Sequence, residues 1–189
     1  IKGNIIGLKT DGSNAPAGTK QGTGVYITVS NTTVGGPNTA DRNIISGNTT
    51  NGIFIPGATG ASNTLIQGNY IGTDINGTNF ITGNPQGTGI SISSTTDLTS
   101  GHKIKNNVIS GNTTSGITKT NLNNYGDSIK GNTIGPNAAG TGVLVNSTGG
   151  TQTYGISLSS SKSNVIGGAN TSDRNIISGN ATYGIHMTQ

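Results

Sequence analysis

Ile66-Gln67-Gly68-Asn69-Tyr70-Ile71-Gly72 is the phrase whose reading decides the fold. It also stands as Ile1-Lys2-Gly3-Asn4-Ile5-Ile6-Gly7 and as Ile129-Lys130-Gly131-Asn132-Thr133-Ile134-Gly135. A second phrase, Asn43-Ile44-Ile45-Ser46-Gly47-Asn48, returns as Asn107 to Asn112 and as Asn175 to Asn180. The two phrases alternate. They divide a single domain, residues 1–189, into long repeats of approximately 1–62, 63–125 and 126–189. Each long repeat holds two related units, giving about six units of some 25–38 residues.

Three apolar columns run through the units. The first reads Ile1, Val34, Ile66, Ile104, Ile129, Ile166; the second Ile6, Ile45, Ile71, Ile109, Ile134, Ile177; the third Val25, Ile53, Ile90, Ile117, Ile156, Ile185. The segments are short, β-branched and bounded by Gly, Asn, Ser and Pro, which is a strand signal. In Ile53-Phe54-Ile55 and Ile90-Ser91-Ile92 strict alternation puts both Ile on one face. Three short strands joined by bends close into one coil of a solenoid. Stacking at about 4.8 Å then sets each Ile over its counterpart. The expectation is an all-β parallel β-helix of about six coils, three short strands per coil, with irregular loops on one side.

Asn4, Asn43, Asn69, Asn107, Asn132 and Asn175 each lie two residues before a second-column Ile, so they point inward at a bend. Such a row can hydrogen-bond from coil to coil, and is expected to be a ladder. Lys119 interrupts the third strand where Ile55 and Ile92 hold the matching place. It suggests an early strand exit, with Leu122 refilling the gap.

Composition fits this picture. Hydrophobic residues are 29% and charged residues 8%, with 33 Gly. Disordered chains are poor in β-branched residues and rich in charge; this one has its Ile and Val in register. A solenoid needs apolar residues at only a few positions per coil, while hydrogen bonds between coils satisfy the backbone. The net charge of +4 reflects scarce acids, all six of them Asp, and the cations are scattered. That argues against nucleic acid as a partner. With no Cys there is neither a disulfide framework nor a thiolate metal site. No run reaches the length of a membrane span.

The chain resembles the right-handed parallel β-helix repeat of large bacterial surface and secreted proteins. The resemblance rests on Asn63 to Asp74, Gly89 to Ile92, Asn164 to Gly168 and Arg174 to Asn180, and extends over essentially the whole chain. It implies a right-handed helix and an extracellular or cell-surface setting. It does not imply one function, since the architecture hosts adhesins, sheaths, carbohydrate-active enzymes and tailspikes.

Chemistry is sparse. Glycoside hydrolysis needs two carboxyl groups at defined separation. Asp11, Asp41, Asp74, Asp97, Asp127 and Asp173 each stand alone in sequence. Asp11 and Asp74 fall in equivalent loops, two coils or about 10 Å apart. Asp41-Arg42 and Asp173-Arg174 read as local pairs. Asp11 and Asp74 are weak Ca²⁺ candidates, in oxygen-rich loops that read first as turns. His102 and His186 lie in different coils, which disfavours zinc. Ice binding would need a ranked Thr array, and the outward third-strand position reads Tyr26, Phe54, Ser91, Thr118, Ser157, His186. No cofactor and no catalytic residue is expected.

Between the Asn and Ile columns lies an outward stripe of Ile5, Ile44, Tyr70, Val108 and Ile176, with Thr133 in the fifth place. It reads either as a packing surface or as a sheet covered by the long loops. Neither end of the sequence carries a polar cap of the kind solenoids use. The expectation is a non-catalytic extracellular structural or adhesive module, assembling end to end or laterally through the stripe with its own copies or other surface proteins. The alternative is a β-helix that binds or degrades carbohydrate, with Tyr26, Phe54 or Tyr154 beside an Asp on a lateral face.

Overall fold

In the computed structural model, which describes all residues except 17–20, 58–59, 95–99, 122–125 and 146–149, the three apolar columns become three parallel sheets. Sheet 1 holds β1 (Ile5–Ile6), β4 (Ile44–Ile45), β7 (Tyr70–Ile71), β10 (Val108–Ile109), β13 (Thr133–Ile134) and β16 (Ile176–Ile177). Sheet 2 holds β2 (Thr23–Tyr26), β5 (Asn51–Pro56), β8 (Thr88–Ser94), β11 (Ser115–Asn121), β14 (Tyr154–Ser159) and β17 (Tyr183–Thr188). Sheet 3 holds β3 (Thr33–Gly35), β6 (Leu65–Gln67), β9 (Lys103–Lys105), β12 (Ser128–Lys130) and β15 (Val165–Ile166). The chain visits sheets 1, 2 and 3 in rotation and pairs each strand with the one a coil later. This is a right-handed parallel β-helix of about six coils.

Register follows the columns. Val34, Ile66, Ile104, Ile129 and Ile166 are successive partners in sheet 3. Ile6 to Ile177 run likewise through sheet 1, and Val25 to Ile185 through sheet 2. Period-two geometry turns these side chains inward, where Ile45, Ile53, Ile66, Ile71, Ile90, Ile109 and Ile117 are wholly buried. The core is one apolar column in sheets 1 and 3 and two in sheet 2, where Ile55, Ile92 and Leu158 run beside Ile53, Ile90 and Ile156, which is how so apolar-poor a chain holds together.

The interior is narrow enough to dictate glycine. A Cβ on Gly89 would lie 2.5 Å from the Gly116 carbonyl oxygen and 2.6 Å from Ile109 Cγ2. Gly24, Gly52, Gly116 and Gly155 meet the same kind of neighbours one coil apart. At the corner into sheet 3 the requirement is a left-handed residue instead. Asn31, Asn63, Gly101, Gly126 and Ser163 have φ of 59°, 55°, 75°, 80° and 55°, each two residues before the strand. Gly, and after it Asn, tolerates that region best.

The two-unit period has a packing cause. In coils 1, 3 and 5 the passage from sheet 1 to sheet 2 is a long loop built to one plan. Lys9, Asp74 and Asn137 N–H donate to the carbonyls of Asn14, Asn79 and Gly142, and the turns close on Gly12, Gly77 and Gly140. Ile75 N–H donates to Gly12 and Ala138 N–H to Gly77, so the loops stack on one another. Each also leans over the next coil. Leu8 and Ala15 lie against Gly47, Phe80 against Gly111, and Val143 against Gly179. One loop covers two coils, and the even coil leaves room for it.

One expectation changes here. Lys119 does not end its strand, since β11 continues to Asn121 and Lys119 pairs in register with Ile92 and Leu158. Its aliphatic stem lies inward and its ammonium finds buried partners, so no early exit is needed. Leu122 lies outside the described residues.

Candidate functional site

The Asn column is a continuous internal ladder. Nδ2 of Asn4, Asn43, Asn69, Asn107 and Asn132 donates to Oδ1 of the next Asn at 2.9, 2.8, 3.0, 3.0 and 3.0 Å. The backbone N–H of each donates to the same oxygen. The remaining Nδ2 hydrogen goes to a carbonyl of the preceding turn, such as Val34 for Asn69 and Ile66 for Asn107. One side chain per coil thus answers three backbone or amide groups at a bend that the β-ladder leaves open.

A second ladder, absent from the sequence reading, lies at the bend into sheet 2. Asn48 Nδ2 donates to Gln86 Oε1, Gln86 Nε2 to Asn112 Oδ1, Asn112 Nδ2 to Gln152 Oε1, and Gln152 Nε2 to Asn180 Oδ1, at 2.9, 2.9, 3.1 and 2.8 Å. Gln sits four residues before the third-column Ile in odd coils, and Asn five residues before it in even ones. The extra methylene of Gln makes up the shorter approach. Alternating chemistry at alternating offsets hid the column, though its two-coil period was a usable signal. Gln21 holds the equivalent place in coil 1 but donates to its own Thr23 carbonyl at 3.5 Å, and Asn48 Oδ1 is buried without a partner.

The outward stripe of sheet 1 is not a continuous exposed surface. Ile44 and Val108 are 5% and 8% exposed, Tyr70 and Thr133 are half-buried, and only the end members Ile5 and Ile176 are open. Leu8, Ile44 and Ile81 form a small cluster with Tyr70 against it. The Arg42 guanidinium lies 4.0 Å above the Tyr70 ring centroid. The loops cover the stripe's middle, so as a surface for packing against another molecule it is corrected to its two ends.

The acidic residues are local devices. Asp74 accepts from the backbone and side chains of both Thr78 and Asn79, at 2.8 to 3.2 Å. Burial pushes its carboxyl up, yet these hydrogen bonds outweigh burial and hold it below the ordinary value. In coil 5 neutral Asn137 makes the same turn, its Oδ1 accepting from Thr141 and Gly142. The loop therefore needs an acceptor there and not a charge. Asp11 caps Ser13, whose backbone N–H and hydroxyl hold its carboxyl low. Although their loops are equivalent, Asp11 and Asp74 are not at equivalent positions, since Lys9 stands where Asp74 does.

Asp41 and Asp173 close single 3₁₀ turns, Thr39–Asp41 and Thr171–Asp173. They pair across coils with Lys2 at 3.1 Å and Lys130 at 3.2 Å. This corrects the expected pairing with adjacent Arg42 and Arg174. Alternation sends the neighbouring Arg away, and Arg42 stacks on Tyr70 instead. Asp97 lies outside the described residues. Among the described residues no three His, Cys, Asp or Glu gather as metal ligands.

One corner breaks the pattern. Lys119 Nζ lies 2.7 Å from Asp127 Oδ2 and 2.9 Å from Asn164 Oδ1, with the Lys and Asp side chains 2% and 1% exposed. Asp127 Oδ1 accepts the His102 backbone N–H at 2.8 Å, and His102 Nδ1 accepts that of Thr64 at 3.2 Å. Burial pushes the His102 imidazole below its ordinary value; the Asp127 charge opposes this and the Lys119 charge adds to it.

Outside, sheet 2 presents a face of residues in register. Its outward residues Tyr26, Phe54, Ser91, Thr118, Ser157 and His186 are all half-buried or exposed. Tyr26 and Phe54 meet edge to face at 5.5 Å near one end. At the other, Tyr154, Tyr183 and His186 stack nearly parallel at 5.0 to 5.9 Å. Hydroxyls of Ser91, Thr118 and Ser157 lie in register between them. Aromatic rings at both ends of a hydroxyl-bearing sheet suit a broad amphipathic ligand better than a small enclosed one. Comparison of the chain with family models, with curated proteins and with solved structures found no match to any of them.

Proposed function

We propose that this chain is a non-catalytic structural and adhesive module of the cell exterior, a stiff rod that works by display. Its lateral contact face is the outer side of sheet 2. The observation that carries this reading is the contrast in cover: loops bury the middle of sheet 1, whereas the aromatic and hydroxyl side chains of sheet 2 stay accessible. Two internal amide ladders and an Ile core running the length of the coils favour rigidity, which presents such a face at low entropic cost. The acids among the described residues are engaged in turns and ion pairs, which supports display over turnover.

The same face favours glycan as the class of surface met, through ring stacking at Tyr26 and Tyr183 and hydrogen bonds from the hydroxyl rank. The test is retention on insoluble neutral polysaccharide and on cell-wall peptidoglycan, with released sugar assayed in parallel and particles imaged by electron microscopy. Retention that falls at least several-fold in Tyr26→Ser/Tyr183→Ser, without sugar release, is expected. Catalytic release of oligosaccharide would overturn the non-catalytic reading. Retention unchanged in the double variant would remove sheet 2 as the contact face.

A further inference from the structure

The Lys119 corner holds the ingredients of a covalent bond. In the matching place of neighbouring coils stand Ile55, Ile92 and Leu158, all buried. An apolar side chain would fill this site without the desolvation that a buried ion pair incurs. Here instead a buried primary amine and a buried carboxylate converge with the half-buried carboxamide of Asn164. Lys119 lies in β11, Asp127 at the corner that follows it and Asn164 at the same corner one turn later. Val165 N–H donates to the Asp127 carbonyl, which sets the two side chains side by side at the corner.

We infer that Lys119 and Asn164 join through an intramolecular isopeptide bond, with Asp127 relaying the proton. Lys119 hands a proton to Asp127 Oδ2 across their 2.7 Å contact, leaving a neutral Nζ. The Nζ lone pair attacks Asn164 Cγ, and a new C–N bond forms as the carbonyl π pair moves to Oδ1. Asp127 is placed to steady that oxygen with its acquired proton. Collapse restores the C=O and breaks the Cγ–Nδ2 bond. Nδ2 takes one proton from the adduct Nζ and the other from Asp127 and departs as ammonium, which leaves Nζ an amide N–H and Asp127 the carboxylate it began as. Charge and atoms balance without oxidant or reductant.

The geometry favours the step. Lys119 Nζ donates to the Asn164 carboxamide oxygen at 2.9 Å, which holds the amine beside the carbonyl group that it attacks. The leaving nitrogen is held by Ser161 Oγ at 2.7 Å, which orients the carboxamide. Burial of Lys119 and Asp127 keeps water from the neutral amine. The product ties the turn that carries Lys119 to the next turn, which carries Asn164, and does not depend on what the outer face of sheet 2 binds.

The experiment is intact mass spectrometry of the folded chain followed by tryptic mapping. The expected chain is lighter than its sequence mass by one ammonia. Its digest contains residues 106–130, uncut at Lys119, joined to residues 163–174. Asp127→Asn and Lys119→Met should both show full sequence mass; the second places an apolar side chain where Ile92 and Leu158 stand, and circular dichroism checks that it folds. Full sequence mass in the parent chain would overturn the inference, as would loss of ammonia with the two peptides separate. Loss of one water would overturn the Asn164 assignment in favour of Asp127 as the acyl partner. A bond that still forms in Asp127→Asn would overturn the relay.

Discussion

The bend between sheets 3 and 1 and the corner between sheets 2 and 3 solve one problem in opposite ways. At the bend every coil contributes Asn, and each amide both donates to and accepts from its translated copy. At the corner the column reads Thr32, Thr64, His102, Asp127, Asn164, four residue types in five places. Repetition satisfies polar groups by symmetry, so any coil of the ladder can stand for another. The corner must satisfy them pair by pair, which is why a buried Lys119 there commits to Asp127 and Asn164 and to no other coil. The ladder specifies stacking, and the corner fixes which coil stacks on which.

Breaking the corner should cost most. Lys119→Met leaves the buried Asp127 carboxylate without its Nζ partner, a loss of about 3–5 kcal/mol on the usual cost of orphaning a buried charge. Adding Asp127→Asn should restore part of it. Urea unfolding of the single and double variants measures both, and equal midpoints for parent and single variant would remove the corner's special weight.

Ile44→Asp and Ile176→Asp test the cover over sheet 1. The first puts a charge among Leu8, Ile81 and Tyr70 and forfeits burial, together about 3 kcal/mol. The second, at a half-exposed position, should cost less than about 0.5 kcal/mol. Similar thermal midpoints for the two would mean that the loops do not cover the stripe.

Within the ladder, Asn107→Ala strands the Asn69 amide and backbone N–H at about 1–3 kcal/mol per buried group. Asn4→Ala, at the exposed end, should cost a few tenths of a kcal/mol. Hydrogen exchange reads the difference at coil 3, where protection of Asn69 N–H should collapse in the first variant only.

The corner also carries a pH signature that the ladder lacks. His102 has a folded pKa below its ordinary 6.5, so the unfolded chain binds the extra proton first as pH falls. The contribution is complete above about 6.5 and is lost as pH falls from there toward the folded value. The urea midpoint should decline between pH 7.5 and 5.5, and His102→Asn should flatten that decline. The smallest effect belongs to Asp74→Asn, which copies the Asn137 turn and should stay within about 0.5 kcal/mol of the parent. A larger loss, or cation-dependent melting of the parent alone, would revive Asp74 as a Ca²⁺ ligand.

The sequence by itself determined the coil. Ile or Val in three columns, Gly before the third and Asn before the second are demands of translational stacking, and a repeat writes such demands at a fixed spacing. The Asn column was readable because one residue type kept one offset from its Ile. Only the tertiary structure decided the rest. The Gln86–Asn112 ladder changes residue and offset together, so it emerges only when the bends are superposed. Burial of Ile44 depends on a loop from another coil, and the pairing of Asp41 with Lys2 reaches 39 residues back, farther than local pattern extends. Lys119 carried the clearest mismatch in the sequence, but its partners are a corner residue eight places on and Asn164, 45 residues later on the next turn. A strand's neighbours along the chain set which way its side chains face, whereas what they meet is set by coils stacked above and below.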